Sequence, residues 1–327
     1  MSELLAVDGL TIKVPADDGT AVTLVDGLSF TVGAGERVAI VGESGCGKSV
    51  TARAIMQLDA AAELGGSIRW RDRELIGLNP RQLSKVRGAE IGMIFQDPLS
   101  ALDPTMPIGE QVAEPLVARG TRHGAARSRA QALLTDLGVA DAARRMKAYP
   151  HEFSGGMRQR VVMALALISE PSLLIADEPT TALDVRVQAQ VLELLADVVA
   201  ARGLALILIT HDFGVVGTMT ERALVMYAGR FIESAPVDDL LGHPVHPYTD
   251  GLLGAVPRVD GPLQERLVAL PGMPPAPTER ADGCAFRPRC RYAVERCETD
   301  VPELGPRRDG GLVACHRAGE LEGQARA

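Results

Sequence analysis

Short apolar runs mark the buried strands that this sequence predicts. Runs bounded by turn or charged residues occur at residues 37–41, 173–176, 205–209 and 223–226. Short runs without polar alternation are typical of strands that are buried on both faces. Helical spacing follows the second run, at residues 187–201. Strands that alternate with helices indicate an α/β layered core.

The rest of the chain falls into three stretches of different character. Residues 10–14 and 24–32 predict two strands joined by a polar turn, an antiparallel β lead-in to the first buried strand. Residues 111–167 are rich in Ala, Arg and Leu with almost no strand pattern, which predicts a mostly helical insertion. After about Ile232, Pro and Gly become frequent, periodicity fades, and four of the five cysteines gather. This last stretch predicts a separate, loop-rich C-terminal extension.

Composition narrows the class of protein. The 327 residues are 46% hydrophobic and 23% charged, enough for one large domain and a smaller one. The net charge of -8 argues against nucleic acid as a partner, since such proteins usually present a basic face. The sequence shows neither an apolar run of about 18 residues, which could span a membrane, nor a signal-peptide pattern. We expect a cytosolic chain, whose cysteines are thiols or metal ligands rather than disulfides.

A phosphate-binding loop follows the first buried strand. Residues 42–49 read Gly-Glu-Ser-Gly-Cys-Gly-Lys-Ser and match G-x-x-x-x-G-K-[ST] in the strand–loop–helix context that this motif requires. The glycines let backbone N–H groups face phosphate oxygens, Lys48 places a charge on the β- and γ-phosphates, and the Ser49 hydroxyl can bind Mg²⁺. We expect a nucleoside triphosphate to contact Gly42, Ser44, Gly45, Cys46, Gly47, Lys48, Ser49 and Val50.

Two other motifs add chemistry to this loop. Asp177 and Glu178 end an apolar strand; the first suits Mg²⁺ and the second suits general-base work on water. Ser154, Gly155 and Gly156 stand at the start of a predicted helix, where N–H groups and the helix dipole attract anions. Taken alone, Ser154 fits an ordinary helix cap at least as well. Together, two phosphate-binding elements in one chain favour a nucleotide-dependent activity.

In their order, these motifs resemble those of the ATP-binding subunit of an ABC transporter, over residues 1 to about 235. The resemblance adds Gln96 in Ile-Phe-Gln-Asp-Pro, residues 182–184 (Ala-Leu-Asp), and His211 in Ile-Thr-His-Asp. It implies an α/β fold: an ABC-type P-loop ATPase core with an antiparallel β lead-in and a helical subdomain at about residues 97–170. Residues 236–327 would form the C-terminal extension.

The same resemblance implies a role for each site residue. It implies that Lys48 and Ser49 bind the phosphates and Mg²⁺, and that Gln96 and Asp177 complete the shell of Mg²⁺ and water. It also implies that Glu178 activates the attacking water and that His211 contacts the γ-phosphate. In this family the segment from Ser154 to Gly156 closes over ATP held by a second cassette. The functional unit would therefore be a head-to-tail dimer of cassettes.

Several stretches resemble the branch of the family that imports dipeptides, oligopeptides or nickel: residues 95–104, residues 149–160, and His246-Pro-Tyr-Thr with Gly-Leu-Leu at 251–253. Met157 is typical of one of two paired ATPase subunits in that branch, which favours a heterodimer. The resemblance implies ATP-driven import of peptides at the cytoplasmic face of the inner membrane, with two permease subunits and a substrate-binding protein. The alternatives are nickel or another small solute as cargo, or a soluble ABC-type ATPase with an iron–sulfur sensor tail.

Four cysteines of the extension form a candidate metal site: Cys284, Cys290, Cys297 and Cys315. Four thiolates can bind zinc or a [4Fe–4S] cluster, since both accept tetrahedral sulfur ligands. The absence of C-x₂-C pairs weakens the zinc-ribbon interpretation. The resemblance to peptide transporters implies the cluster, and a structural role would suit a segment with little apolar core.

One position departs from the family pattern. Relatives usually place an aromatic residue near the end of the first strand to stack on adenine, and Val14 stands there in this chain. We therefore expect weakened recognition of the base. Leu99, Leu102 and Met106 follow Gln96 and are candidates for a groove that receives a helix of the permease.

Overall fold

The structure is a computed structural model that describes residues 3–16, 19–98, 100–181, 183–255, 270–279, 282–308 and 310–322. Its strands are β1 (Glu3–Pro15), β2 (Ala21–Gly33), β3 (Arg37–Val41), β4 (Glu63–Trp70), β5 (Arg73–Glu74), β6 (Ile91–Ile94), β7 (Leu173–Asp177), β8 (Ala205–Thr210), β9 (Arg222–Tyr227), β10 (Arg230–Pro236), β11 (Gly305–Pro306) and β12 (Leu312–Val313). Its helices are α1 (Lys48–Ile55), α2 (Pro80–Val86), α3 (Ile108–Val117), α4 (His123–Asp136), α5 (Ala142–Arg145), α6 (Gly155–Leu167), α7 (Val185–Arg202), α8 (Phe213–Met219), α9 (Val237–Gly242), α10 (Pro247–Gly254), α11 (Arg296–Thr299) and α12 (Ala318–Leu321).

The chain divides into two compact units, each made of several segments. The first unit comprises Met1–Leu4, Val32–Glu36 and Gly77–Leu208. The second comprises Leu5–Thr31, Arg37–Ile76 and Ile209–Ala327. Among the helices in the described ranges, none is both long and apolar enough to cross a membrane.

The first unit combines parallel strands with helices. Strands β6 and β7 are parallel, with Ile94 opposite Ala176, and β8 follows β7 in strand order. All residues of β6, β7 and β8 are buried, as expected for strands covered on both faces. Helix α6 approaches β6 so closely that a Cβ on Gly92 would lie 2.4 Å from the Ala166 carbonyl oxygen. Glycine at this position therefore permits the close packing.

Helices α3, α4, α5 and α6 occupy the stretch in which the sequence predicted a helical insertion, and its helical content is confirmed. Helix α7 confirms the helix expected at residues 187–201. Its N-terminus is capped by Asp184, whose side chain accepts a hydrogen bond from the Val187 N–H. Its C-terminus ends at Gly203, which has φ 58° and adopts this left-handed conformation without a Cβ penalty.

The second unit contains the β lead-in, the phosphate loop and the C-terminal extension. Strands β2, β1, β4 and β5 form a four-stranded sheet in that order, with β1 and β4 antiparallel. Strand β3 is parallel to β9, β9 pairs antiparallel with β10, and β12 continues the sheet from β10 with β11 beside it. Strands predicted at the positions of β1, β2, β3 and β9 are confirmed. Strand β10 spans the start of the stretch interpreted as loop-rich, and β11 and β12 lie within it.

The described part of the extension shares a core with the strands beside the phosphate loop. Tyr248 and Phe286 from the extension are buried in one hydrophobic cluster with Val41 of β3 and Tyr227 of β9. The sequence indicated a separate extension, but these residues pack within the second unit. The difference arises because a few apolar side chains, widely spaced in a loop-rich segment, are enough to complete an existing core.

Candidate nucleotide-binding site

The phosphate loop joins β3 to α1 in the predicted strand–loop–helix order. Gly42 has φ 154° and Gly47 has φ 110°, a region that favours glycine. A Cβ on Gly42 would lie 2.2 Å from the Met226 carbonyl oxygen, and one on Gly47 would lie 2.6 Å from Met226 Cε. The loop is therefore packed closely against the end of β9, and both positions require glycine.

Lys48 lies within the curve of this loop. Its side chain is buried, and Nζ donates hydrogen bonds to the carbonyl oxygens of Gly42 (2.7 Å) and Glu43 (2.9 Å). Cys46 Sγ lies 3.8 Å from the same ammonium group, and burial raises the pKa of the Cys46 thiol. Cys46 is thus a small, buried residue in a tight turn, while the ammonium group is held where phosphate oxygens approach such loops.

Of the loop residues predicted to meet Mg²⁺ and phosphate, Ser44, Gly45 and Ser49 are accessible. Ser49 is half-buried in the first turn of α1, and Ser44 and Gly45 are exposed. A hydroxyl in this position and a row of N–H groups at a helix N-terminus form the donor set that Mg²⁺–triphosphate requires. The loop therefore fits the predicted ligand.

Gln96 and Glu178 meet at one edge of the first unit. Strands β6 and β7 are parallel with Ile94 opposite Ala176, so residues two positions further along each strand leave the sheet side by side. Gln96 Nε2 donates to Glu178 Oε2 over 3.2 Å, and Thr181 Oγ1 donates to the same oxygen over 3.0 Å. The sequence placed these residues in one site, and within this unit the structure brings them together.

Asp177 and Glu178 differ in environment although they are adjacent. Asp177 is the last residue of β7 and is buried, whereas Glu178 is half-buried and has φ 44°. A non-glycine residue in the left-handed region costs about 1 kcal/mol or more and commonly marks a functional position. The turn directs the two carboxylates to different surroundings, which suits two different tasks.

Ser154 precedes α6 and does not act as an ordinary side-chain cap. Its backbone has φ -66° and ψ 163°, yet its side chain makes no capping hydrogen bond to the helix. Ser154 and Gly155 are exposed. A Cβ on Gly156 would lie 2.5 Å from Val187 Cγ1, so the start of α6 packs tightly against the start of α7. The cap interpretation is thus wrong for the side chain.

Of residues 182–184, Ala182 lies outside the described residues.

His211 is exposed in a turn between β8 and α8. Thr210 Oγ1 accepts a hydrogen bond from the Asp212 N–H over 3.0 Å. Asp212 in turn caps α8 by accepting from the Gly214 N–H over 2.8 Å. These two bonds on either side of His211 fix the backbone that carries its ring.

The four cysteines of the extension line one cavity: Cys284, Cys290, Cys297 and Cys315. All are free thiols. Burial raises the pKa of the Cys284 and Cys290 thiols and that of Cys315 to about 11. Within the described ranges, however, no group of three or more His, Cys, Asp or Glu residues is arranged to hold a metal ion. The arrangement of these residues therefore does not support the predicted iron–sulfur cluster.

Other predicted positions have mixed outcomes. Val14 is half-buried on β1, in the unit that carries the phosphate loop.

Of the docking candidates, Leu102 is buried and Met106 is half-buried, while Leu99 lies outside the described residues. A buried Leu102 is not available to a partner, so only Met106 of the described pair stays a candidate.

The sequence did not reveal that the extension contacts the phosphate loop. The Glu43 N–H donates to Tyr248 Oη over 2.8 Å, and the Glu43 carboxylate pairs with Arg289. These residues are 205 and 246 positions apart along the chain. No local pattern in the sequence indicates such a contact.

Two family models match the chain. The model described as ABC transporter matches residues 25–181. The model described as oligopeptide/dipeptide transporter, C-terminal region, matches residues 232–297. The second match covers the start of the extension and includes the first three of its four cysteines.

The chain is similar to curated oligopeptide transport ATP-binding proteins. It is 46% identical to OppD of Haemophilus influenzae, covering 98% of this chain and 99% of that protein. It is 46% identical to AppD of Bacillus subtilis, covering 90% of each. It is 48% identical to OppD of Mycobacterium tuberculosis over 100% of this chain but 54% of that protein. The chain thus spans about half the length of the mycobacterial relatives that it matches.

Solved structures with the same fold include MJ0796 and cbiO1. The ATP-binding cassette MJ0796, solved as a dimer in a post-hydrolysis state with ADP and Pi, is 26% identical with a TM-score of 0.64 over 72% of this chain and 99% of that one. cbiO1 of Clostridium perfringens, part of the complex cbiONQ, is 27% identical with a TM-score of 0.62 over 73% of this chain and 91% of that one. The predicted cassette fold is confirmed.

Proposed function

The chain belongs to the ABC transporter family of ATP-binding proteins, and from this premise we propose that it hydrolyses ATP to power the import of di- or oligopeptides. The hydrogen bond between Gln96 and Glu178 carries the enzymatic part of the proposal. It places a carboxylate and a water-orienting amide at the end of adjacent strands, as hydrolysis of a phosphoanhydride requires. The names of the relatives in Haemophilus influenzae and Bacillus subtilis support peptide as cargo.

The side chains divide the chemistry as follows. Lys48 stabilises negative charge on the β- and γ-phosphates, and backbone N–H groups of the loop hold the phosphate oxygens. The Glu178 carboxylate accepts a proton from the attacking water, which Gln96 helps to orient. His211 stabilises the γ-phosphate from the turn before α8. Ser49, Gln96 and Asp177 would hold Mg²⁺, which would neutralise charge on the phosphates.

A second cassette completes the site in this proposal. Ser154, Gly155 and Gly156 would contact ATP held by the partner, and the partner's equivalent residues would contact ATP held here. Two observations support this arrangement: the Ser154 side chain is exposed and makes no capping bond, and MJ0796 is solved as a dimer. Met157 favours a homologous subunit over a second copy as the partner.

We place the complex at the cytoplasmic face of the inner membrane, where the chain binds peripherally to two permease subunits that receive cargo from a substrate-binding protein. The match to the oligopeptide/dipeptide transporter C-terminal region supports this assignment. Nickel or another small solute, and an ABC-type ATPase without a permease, are not favoured by the similar proteins.

Reconstitution tests the proposed function. The chain, co-purified with its permease subunits and placed in vesicles, should take up a labelled peptide only with ATP, and the Lys48→Ala variant should abolish uptake. ATP hydrolysis without any peptide uptake, in the presence of the binding protein, would contradict the assigned cargo. If the chain is recovered free of permease subunits and still hydrolyses ATP, the result would instead favour the alternative of an ABC-type ATPase without a membrane partner.

No three of the extension's cysteines are arranged around a metal position in the described residues, but their chemistry carries a second proposal: that Cys284, Cys290, Cys297 and Cys315 bind a [4Fe–4S] cluster. Thiolates are the usual ligands of such clusters, and all four line one cavity. Anaerobically purified protein should contain iron and acid-labile sulfide, and Cys290→Ser should lose both. Stoichiometric zinc in the native protein, or no metal at all, would reject the cluster.

A further inference from the structure

Arg289 anchors the phosphate loop to the C-terminal extension. Its Nη1 donates to Glu43 Oε2 over 2.6 Å, and its Nη2 donates to Glu43 Oε1 over 2.9 Å. Glu43 is the second residue of the phosphate loop, and Arg289 lies in the 3₁₀ turn Arg287–Arg289 next to Cys290. The pair therefore has the two-bond geometry in which a guanidinium group recognises a carboxylate most strongly and most directionally.

The Arg289 side chain is held in place from several directions. It is 4% exposed, against 26% for Glu43, and its Nε donates to the Pro271 carbonyl oxygen over 2.8 Å. The guanidinium carbon lies 5.9 Å from the centre of the Tyr227 ring and 6.0 Å from that of Phe286. A buried guanidinium with these contacts has little freedom, so the position of Glu43 is set from the side of the extension.

Tyr248 holds the backbone of the same loop residue. Its hydroxyl oxygen accepts a hydrogen bond from the Glu43 N–H over 2.8 Å. The Tyr248 ring is fully buried and lies 4.6 Å from the Tyr227 ring and 5.5 Å from the Phe286 ring, centre to centre. Main chain and side chain of Glu43 are thus bound to two different segments of the extension.

These contacts continue to the phosphate-binding lysine. The Glu43 carbonyl oxygen accepts a hydrogen bond from Lys48 Nζ over 2.9 Å. A displacement of Glu43 would therefore move one of the two carbonyl groups that orient the ammonium group. Ordering a loop before its ligand arrives removes an entropy cost that would otherwise reduce affinity.

We propose that Arg289 is a positioning residue that preorganises the phosphate loop through Glu43, so that the C-terminal extension sets the affinity of this chain for a nucleoside triphosphate. The proposal rests on the proposed function, because it assumes that the loop binds ATP. It assigns the extension a role at the nucleotide site that does not depend on a metal centre. Arg289 itself acts through Glu43 and does not contact the ligand.

Nucleotide binding to the full-length chain tests this role. We expect Arg289→Gln to raise the Kd for Mg²⁺–ATP by about tenfold, because a bidentate charged pair in a partly buried site is lost. Glu43→Gln should have a similar effect, and the double variant should be no weaker than either single variant. Arg289→Lys, which keeps the charge without the two-bond geometry, should lie between the wild type and Arg289→Gln.

Arg287→Gln is the matched control. Arg287 lies in the same 3₁₀ turn but pairs with Glu298 rather than with Glu43, so its replacement should leave the Kd unchanged. In steady-state hydrolysis, Arg289→Gln should raise KM for ATP while kcat changes by less than about twofold. Thermal unfolding of each variant verifies that it is folded, and Glu43→Gln carries the test if Arg289→Gln does not fold.

The outcomes separate this inference from the function on which it rests. Wild-type protein that fails to bind ATP would overturn both. Wild-type protein that binds ATP while Arg289→Gln and Glu43→Gln bind equally well would overturn the positioning role alone. Additive effects in the double variant would also overturn it, since the two residues would then act independently.

Discussion

The side-chain amide of Gln96 donates a hydrogen bond to the Glu178 carboxylate across 3.2 Å, between the turns that follow two parallel strands. Thr181 donates to the same carboxylate oxygen. Two donors on one oxygen restrict the orientation of the carboxylate. The proposed base is therefore positioned by residues of its own unit.

Replacing this carboxylate should stop hydrolysis while leaving ATP binding intact. We expect Glu178→Gln to lower kcat by about 100-fold or more, as is usual for loss of a general base, with the Kd for ATP nearly unchanged. Phosphate release by the assembled transporter and nucleotide binding by the full-length chain measure the two quantities. Phosphate release at the wild-type rate would show that another group activates water.

The start of α6 should not tolerate even one added methyl group. A Cβ on Gly156 would lie 2.5 Å from Val187 Cγ1, so Gly156→Ala should displace the start of α6 and lower ATPase activity of the dimer by about tenfold or more. Gly124→Ala is the control, because a Cβ on Gly124 in α4 would meet nothing within 4 Å. Equal activity of both variants would contradict a role for this segment in the shared site.

An aromatic residue at position 14 should strengthen binding of the base. We expect Val14→Tyr to lower the Kd for ATP by about fivefold, since ring stacking contributes about 1 kcal/mol. Lys13→Tyr is the control, because neighbouring residues of a strand point to opposite faces and Lys13 is exposed. If Val14→Tyr binds ATP no more tightly than the wild type, this position does not face the base.

A buried histidine should make the second unit sensitive to acid. Burial lowers the pKa of His246 from 6.5 to about 3, while its Nδ1 accepts a hydrogen bond from the Tyr248 N–H. Below pH 6.5 His246 binds a proton in the unfolded chain but stays neutral in the folded chain. Stability is therefore fully present above about pH 6.5 and is lost as the pH falls towards 3, by about 2 kcal/mol at pH 5.

His246→Asn isolates this contribution. The Asn side-chain oxygen can still accept the bond at the start of α10, but it does not titrate. Between pH 7.5 and 5, the denaturant midpoint of the wild type should fall more steeply than that of the variant. Parallel pH profiles would show that His246 is protonated equally in the folded and unfolded chains.

Much of the site could be predicted because its signals are local. The match of residues 42–49 to the phosphate-loop pattern, the short apolar run before Asp177, and the helical spacing at residues 187–201 each depend on a few neighbouring side chains. The meeting of Gln96 with Glu178 follows from strand pairing, which the order of motifs in the family implied. The role of the Ser154 side chain was harder to predict, since a serine that caps a helix and a serine that binds a ligand give the same sequence pattern.

The structure of the extension was harder to predict than the site, because its strands and its core come from distant parts of the chain. Strand β12 has only two residues, and it forms because it pairs with the edge of β10, with Glu233 opposite Val313. The four cysteines were identified as a group from their spacing, and they do line one cavity. Spacing alone does not determine how the thiols are arranged around that cavity.

The sequence by itself determined several strands and helices of the cassette, the positions of its motifs and the family, because periodicity, glycine placement and capping act over a few residues. Only the tertiary structure decided that the extension packs on the phosphate loop. Glu43 and Arg289 are 246 positions apart, and any exposed Glu and Arg could have formed an equivalent pair. Their pairing depends on where the buried rings of Tyr227, Tyr248 and Phe286 hold the extension, which is a property of the assembled core.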